Sequence, residues 1–141
     1  MRGLILLCLA ALLVFPSCDD RSYREIGAAI NVLTKASEDL PATAIERLRK
    51  IGRRAVPQIE TAMHTASPRG KTNLVSALAA IGEPESAMIL QHFAVYDKSP
   101  EVRKACEDVL AQWASSSDRK GPPAKQALAR VQEKRRLGLA E

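Results

Sequence analysis

Apolar residues near the start of the chain recur at the spacing of an amphipathic helix. In residues 21–36, the residues Ile26, Ala29, Ile30 and Leu33 fall at i, i+3, i+4 and i+7. Side chains with this spacing share one face of a helix, which is the face that a globular protein buries. The pattern therefore predicts an amphipathic helix over residues 21–36.

A longer pattern then repeats along the chain. Ser37, Ser67 and Ser99 each open a unit, and apolar residues follow at matching positions in all three units. The aligned positions are Ala44, Leu74 and Cys106, then Leu48, Leu78 and Leu110, and finally Ile51, Ile81 and Trp113. Within each unit these three positions fall at i, i+4 and i+7, on one face of a helix, so the repeat predicts three similar helices with a buried stripe.

Serine, proline and glycine mark where these helices begin and end. Ser67-Pro68 and Ser99-Pro100 combine an N-cap hydroxyl with a proline at the first helical position, where its missing N–H has no cost. Gly52 and Gly82 end the first helices of two units, because glycine adopts the left-handed conformation freely. Further helices are predicted at residues 54–65, 84–96, 99–115 and, after a polar linker, about 123–137.

These segments resemble HEAT repeats of the short bacterial type. The resemblance covers residues 37–115 and includes the strings Ile-Gly-Glu-Pro-Glu at 81–85 and Ser-Pro-Glu-Val-Arg at 99–103. It implies an all-α fold, a short α-solenoid of about three stacked HEAT-like helical hairpins with terminal capping helices. It also implies protein binding on the face lined by the second helices. No catalytic residue is general to the family, so none is predicted here.

The N-terminus has the pattern of an export signal. A positive start, Met1-Arg2, is followed by an apolar run over residues 4–15, which is shorter than the ~20 residues of a membrane-spanning helix. The run ends in Ser17-Cys18, which resembles a bacterial lipoprotein signal, although Phe15 and Pro16 depart from that pattern. The resemblance implies cleavage before Cys18 and lipidation of Cys18. A plain signal peptide and an uncleaved anchor are the alternatives.

The predicted organisation follows from these features. Residues 1–17 form a signal peptide, 18–36 a linker and capping helix, 37–115 the repeats, and 116–141 a linker and a basic C-terminal helix. The predicted location is the bacterial cell envelope, with the chain anchored by its N-terminal lipid on the periplasmic or extracellular face.

Composition favours a helical fold, and the net charge indicates which classes of partner fit the chain. Hydrophobic residues make up 46% of the 141 residues but aromatics only 4%, which favours close helix packing by Ala, Leu, Ile and Val. The net charge of +5 suits anionic partners without requiring nucleic acid, since no aromatic residues are interleaved with the cations to stack on bases. The basic tail is interpreted as a solvated cap, with anionic phospholipid as the alternative partner.

The candidate binding residues lie on the predicted second helices and the first turn between helices. They are Arg53, Arg54, Gln58, Thr61, His64, Gln91 and His92. The two histidines fall on second helices of adjacent units and are expected to approach each other. Without a cysteine or acid at ligand spacing, we predict no metal site, and we predict no cofactor.

The sequence therefore predicts a protein-binding scaffold that is not an enzyme and whose partner is an unknown protein. An accessory or regulatory subunit of an envelope enzyme is the first alternative. If the chain is not exported, a basic cytosolic helical repeat that binds nucleic acid is the second.

Overall fold

The computed structural model describes residues 18–36 and 42–139, and within these ranges every regular element is helical. The elements are α1 (Cys18–Lys35), α2 (Ala42–Ile51), a short 3-10 helix (Gly52–Ala55), α3 (Val56–Thr65), α4 (Pro68–Ile81), α5 (Ser86–Tyr96), α6 (Pro100–Ala114) and α7 (Gly121–Arg136). No helix in the described ranges is long and apolar enough to cross a membrane. The predicted signal peptide, residues 1–17, and the opening serine Ser37 lie outside the described residues.

The helices stack in the order of a short α-solenoid. The first helices of the three units lie side by side, with α2 on α4 and α4 on α6. The second helices α3 and α5 pack on the first helix of the following unit, and α5 also packs on α7. Helix α1 precedes the first unit and packs on α2 and α4, so it caps that end of the stack. The predicted all-α solenoid of about three hairpins is confirmed.

The core includes most of the aligned apolar positions that define the repeat. Leu48, Leu78 and Leu110 are all 0% exposed, and Cys106 is also fully buried. Trp113 is 2% exposed, whereas its counterparts Ile51 and Ile81 are only partly buried. The first helices therefore bury the leucine positions that the repeat predicts to be buried. A helix rotated about its axis would expose part of this stripe.

Both glycines that were predicted to end a helix do so. Of the two serines that were predicted to cap a helix, only one does. Gly82 has φ +71° at the end of α4, and Gly52 has φ +70° after α2. The hydroxyl of Ser67 accepts a hydrogen bond from the Gly70 amide at 3.2 Å. The Ser99 hydroxyl caps nothing. The carboxylate of Asp97 accepts a hydrogen bond from the Ser99 amide at 2.9 Å, which fixes the turn before α6 and leaves the amides of its first turn without a side-chain cap.

The C-terminal helix packs on the repeats as the second helix of the third unit. Helix α7 lies on both α5 and α6, and its buried residues are Gly121, Ala124, Ala127 and Val131. A side chain at Gly121 would collide with the carbonyl oxygen of Ser116, so the linker closes tightly against the start of α7. The third unit is therefore a complete hairpin despite its longer connection.

Candidate functional site

The two histidines meet where adjacent second helices lie side by side. The rings of His64 on α3 and His92 on α5 have centroids 6.1 Å apart. His64 also lies 5.2 Å from the ring of Phe93, and His92 lies 5.2 Å from the ring of Tyr96. Phe93 is buried while the other three side chains are exposed, so the cluster has a fixed base and an accessible outer surface.

Helix α7 extends this ring cluster with a cation. The ammonium group of Lys134 lies 4.5 Å from the Tyr96 ring centroid and donates a hydrogen bond to the Tyr96 hydroxyl. A cation at this distance over an aromatic face is attracted by the ring's quadrupole. The next residue, Arg135, ties α7 to α6 through Glu107, with one nitrogen–oxygen distance of 2.8 Å. The cluster therefore joins all three second helices.

An exposed methionine lies on the same helical face as this cluster. Met88, His92 and Tyr96 follow one another at i, i+4 and i+8 on α5, and all three are exposed. Met88 is 72% exposed and Tyr96 is 49% exposed. We call His64, Met88, His92, Tyr96 and Lys134 the second-helix surface. It contains two of the seven predicted contact residues.

The other predicted contact residues are not gathered there. Arg53 pairs with Glu85 at 2.9 Å in the turns that precede α3 and α5, and Arg54 is exposed in the same 3-10 helix. Gln58 and Gln91 are half-buried. The Thr61 hydroxyl donates to the Pro57 carbonyl of its own helix at 3.0 Å. Arg53 and Arg54 thus lie in a 3-10 turn before α3, since α3 begins at Val56 and not at residue 54 as predicted.

Sequence reasoning missed three members of the surface. Met88, Tyr96 and Lys134 are not among the candidate residues that the sequence predicts. The i, i+4 spacing from His92 to Tyr96 is a signal that could have identified Tyr96. Nothing in the sequence connects Lys134 with Tyr96, because their helices meet only through tertiary packing.

The remaining titratable groups in the interior are structural. Lys71 and Asp97 form an ion pair at 2.6 Å, with side chains 17% and 3% exposed. Burial raises the pKa of the nearby Cys106 thiol to about 12, with Asp97 adding a smaller electrostatic contribution. Cys106 is therefore a protonated core residue at neutral pH and not a nucleophile. Within residues 18–36 and 42–139, no group of three potential ligands is placed to hold a metal ion.

The chain is similar to a characterised bilin biosynthesis protein. It is 28% identical over 95 residues to the bilin biosynthesis protein RpcF of Synechococcus sp. (strain WH8020), a match that covers 67% of this chain and 46% of the relative. The chain therefore corresponds to about half of that protein's length. No solved structure matches the chain.

This relative corrects one prediction. The sequence led us to expect that the chain is not an enzyme, because HEAT repeats have no general catalytic residues. The similarity to a protein named for bilin biosynthesis contradicts that prediction, since it associates this kind of helical repeat with a biosynthetic process. The repeat fold alone is therefore no ground for excluding enzymatic activity.

The fold class and the sequence comparison agree on the family. The family of HEAT repeats matches residues 26–111, which is more than half of the chain. The matched region runs from the middle of α1 to the end part of α6 and contains the stripe of Leu48, Leu78 and Leu110. The chain belongs to the HEAT-repeat family.

Proposed function

We propose that the chain is a scaffold whose second-helix surface binds a protein partner, and that it is exported and lipid-anchored in the bacterial envelope. The observation that carries the binding role is the exposed group of Met88 and Tyr96 beside His64 and His92. Methionine and aromatic side chains are enriched at protein interfaces, and tyrosine combines an apolar ring with a hydrogen-bonding group.

The support for export and anchoring is in the sequence. The apolar run over residues 4–15 and the Ser17-Cys18 pair that ends it are the features of a lipoprotein signal. Cleavage before Cys18 would leave the repeats tethered by their first residue. Such a tether holds the scaffold, and any protein that it binds, at the membrane.

Site-specific photo-crosslinking tests the binding surface. A photo-reactive phenylalanine in place of Met88, in the cells that make the protein, is expected to form a discrete crosslinked species. The physical reason is that this side chain is 72% exposed on the same face of α5 as His92 and Tyr96. The matched control carries the same residue in place of Gln112, which is exposed on the first helix α6. Equal crosslinking at both positions, or none at position 88, would contradict the proposed surface.

We infer a second candidate function, the binding of a linear tetrapyrrole, because the relative is named for bilin biosynthesis. A bilin has an extended conjugated system and carboxylate groups. The second-helix surface offers the rings of His64, His92 and Tyr96 for stacking and the ammonium group of Lys134 for a carboxylate.

A titration with biliverdin tests this candidate. The expected result is a change in the absorption and induced circular dichroism of the pigment as it is immobilised by the protein. Tyr96→Ala removes a ring and about 1 kcal/mol of stacking, so we expect affinity to fall ~5-fold. Gln112→Ala, on the other side of the solenoid, should leave it unchanged. Pigment spectra that do not respond to the protein would rule out this function.

A further inference from the structure

The turns within the three hairpins lie along one edge of the solenoid. Arg53 in the first turn pairs with Glu85 in the second at 2.9 Å. The position of a Cβ on Gly82 in the second turn lies 3.8 Å from the ammonium nitrogen of Lys120 in the third. We call this edge, formed by residues 52–55, 82–85 and 115–120, the turn edge.

The first residues of α1 lie toward the same edge. A groove beside α1 is lined by its residues Gly27 to Thr34 and by Ala62 to Ser67 at the end of α3. The amide of Asn73, near the start of α4, donates to the carbonyl of Leu33 at 2.9 Å. The second half of α1 therefore lies at the far edge, beside the end of α3. Its first half, which starts at Cys18, points toward the start of α3 and the turn edge.

This corner of the molecule is rich in exposed cations. The residues Arg21, Arg47, Lys50, Arg53 and Arg54 are all exposed, and we call them the basic edge. Arg53 shares an ion pair with Glu85. Within residues 18–36 and 42–139, no ion pair involves the other four. Lys50 interacts electrostatically with Glu46, so the charges of Arg21, Arg47 and Arg54 are the ones fully available to an external anion.

The helix dipole does not account for all of these cations. Arg47 and Lys50 are near the C-terminus of α2, where positive charge is stabilised. Arg54 immediately precedes α3, where the dipole disfavours positive charge. A cation in an unfavourable position on an exposed turn indicates a surface suited to an anionic partner.

Three cations near the end of α7 have internal partners and lie elsewhere. Lys134 contacts Tyr96, Arg135 pairs with Glu107, and Arg136 pairs with Glu133. They also lie at the end of α7, whose start adjoins the turn edge, so they are at the opposite edge from Cys18. The basic edge is thus the cationic surface that is nearest to the proposed anchor.

We propose that the turn edge docks on a bilayer that contains anionic phospholipid, with the basic edge in contact with the headgroups. This proposal rests on the proposed lipid anchor at Cys18. Helix α1 begins at Cys18 itself, so no linker separates the anchor from the fold. A lipid at that position holds the basic edge within a Debye length of the surface, where cations attract anionic lipid.

The docked orientation leaves the proposed binding surface free. The helices run between the turn edge and the far edge, so they stand away from the bilayer when the turn edge rests on it. His64, His92 and Tyr96 lie in the second halves of α3 and α5 and are therefore on the side away from the membrane. Met88 lies in the first turn of α5, nearer the turn edge, so a partner would contact His64, His92 and Tyr96 from the side without displacing the scaffold from the membrane.

Vesicle binding by the chain without its lipid tests this proposal. The chain starts at residue 18 with serine in place of Cys18, and it keeps every helix of the described structure. It is mixed with vesicles of phosphatidylcholine alone or with phosphatidylglycerol added. We expect binding only to the anionic vesicles, and we expect added salt to weaken it.

The triple variant R47Q, K50Q, R54Q should bind ~100-fold more weakly, since each cation near an anionic surface contributes a factor of ~5.

The matched control is the triple variant K35Q, K98Q, R130Q, which makes the same change in net charge at exposed positions away from the basic edge. It should bind like the unmodified chain, and circular dichroism should show all three proteins folded. Equal losses in both triple variants, or no binding to anionic vesicles, would overturn the basic edge as a membrane surface. The assay contains no lipid anchor, so such a failure is distinct from a failure of anchoring, which palmitate labelling of the native chain measures separately.

Discussion

Asp97→Ala is expected to destabilise the protein by about 3–5 kcal/mol, the cost of breaking a buried ion pair by removing one partner. Its carboxylate pairs with Lys71 at 2.6 Å and accepts a hydrogen bond from the Ser99 amide at 2.9 Å. The Lys71 ammonium group would be left largely buried beside the ring of Phe93, without a counter-ion. The measurement is the midpoint of thermal or urea unfolding, followed by circular dichroism.

A second Lys–Asp pair in the same protein provides the control. Lys104 and Asp108 pair at 2.7 Å, but their side chains are 75% and 63% exposed. Removing an exposed pair costs at most about 1 kcal/mol, so Asp108→Ala should unfold close to the native midpoint. The double variant Lys71→Met with Asp97→Asn should recover part of the loss, because it leaves no buried charge unpaired. Equal effects of Asp97→Ala and Asp108→Ala would show that the buried pair does not stabilise the fold.

The large effect expected at Asp97 follows from its position between two units. Its side chain binds Lys71 on α4 of its own unit and accepts a hydrogen bond from the amide of Ser99, the residue that opens the third unit. In a solenoid each unit is stabilised mainly by its neighbours, so a bond between units affects the whole stack. A stack of three units has few interfaces between units, so a loss of stabilising free energy at one of them is a large part of the total.

The register of the first helices was predictable because each unit repeats the same constraint. Leu48, Leu78 and Leu110 occupy one position in three copies, so each copy supports the assignment of the others. Cys106 would be ambiguous alone. Aligned with Ala44 and Leu74, it is predicted to be a core residue, and it is fully buried in the structure.

The second helices were harder to predict because α5 is apolar on most of its surface. Its sequence places Met88 next to Ile89, and periodicity does not indicate which of the two is exposed. The structure buries Ile89 and exposes Met88. That difference depends on where α6 and α7 pack against α5, which is a property of the tertiary fold. The missed members of the second-helix surface have this common cause.

The hydrogen bonds between units were also beyond sequence reasoning. The motif Ser99-Pro100 predicts a hydroxyl cap, but Asp97 provides the acceptor for the Ser99 amide. Both residues are typical of the segment before a helix, and short-range rules favour the serine. The pairing of Asp97 with Lys71 on α4, which holds the carboxylate beside the Ser99 amide, is a tertiary contact that short-range rules do not include.

Cys18→Ser is expected to abolish the incorporation of radioactive palmitate and to release the protein from the membrane fraction. Acylation at a lipoprotein signal uses the cysteine that ends the signal, so the variant has no residue that can carry the label. Stable anchoring requires more than one acyl chain, so a protein without acyl chains lacks the lipid anchor. Labelling and fractionation of the native chain and the variant, in the bacterium that makes the protein, measure both effects. We expect the loss of label to be complete.

The other two cysteines are matched controls for this experiment. Cys8→Ser should keep the label, because Cys8 lies within the segment that cleavage removes. Cys106→Ser should also keep it, because the Cys106 thiol is buried with its pKa raised to about 12 and is neither accessible nor ionised. Label that persists in Cys18→Ser would contradict the anchor. A native chain that has no label, keeps Met1 and stays soluble would contradict export, and it would direct the search for a partner of the basic edge to anions inside the cell.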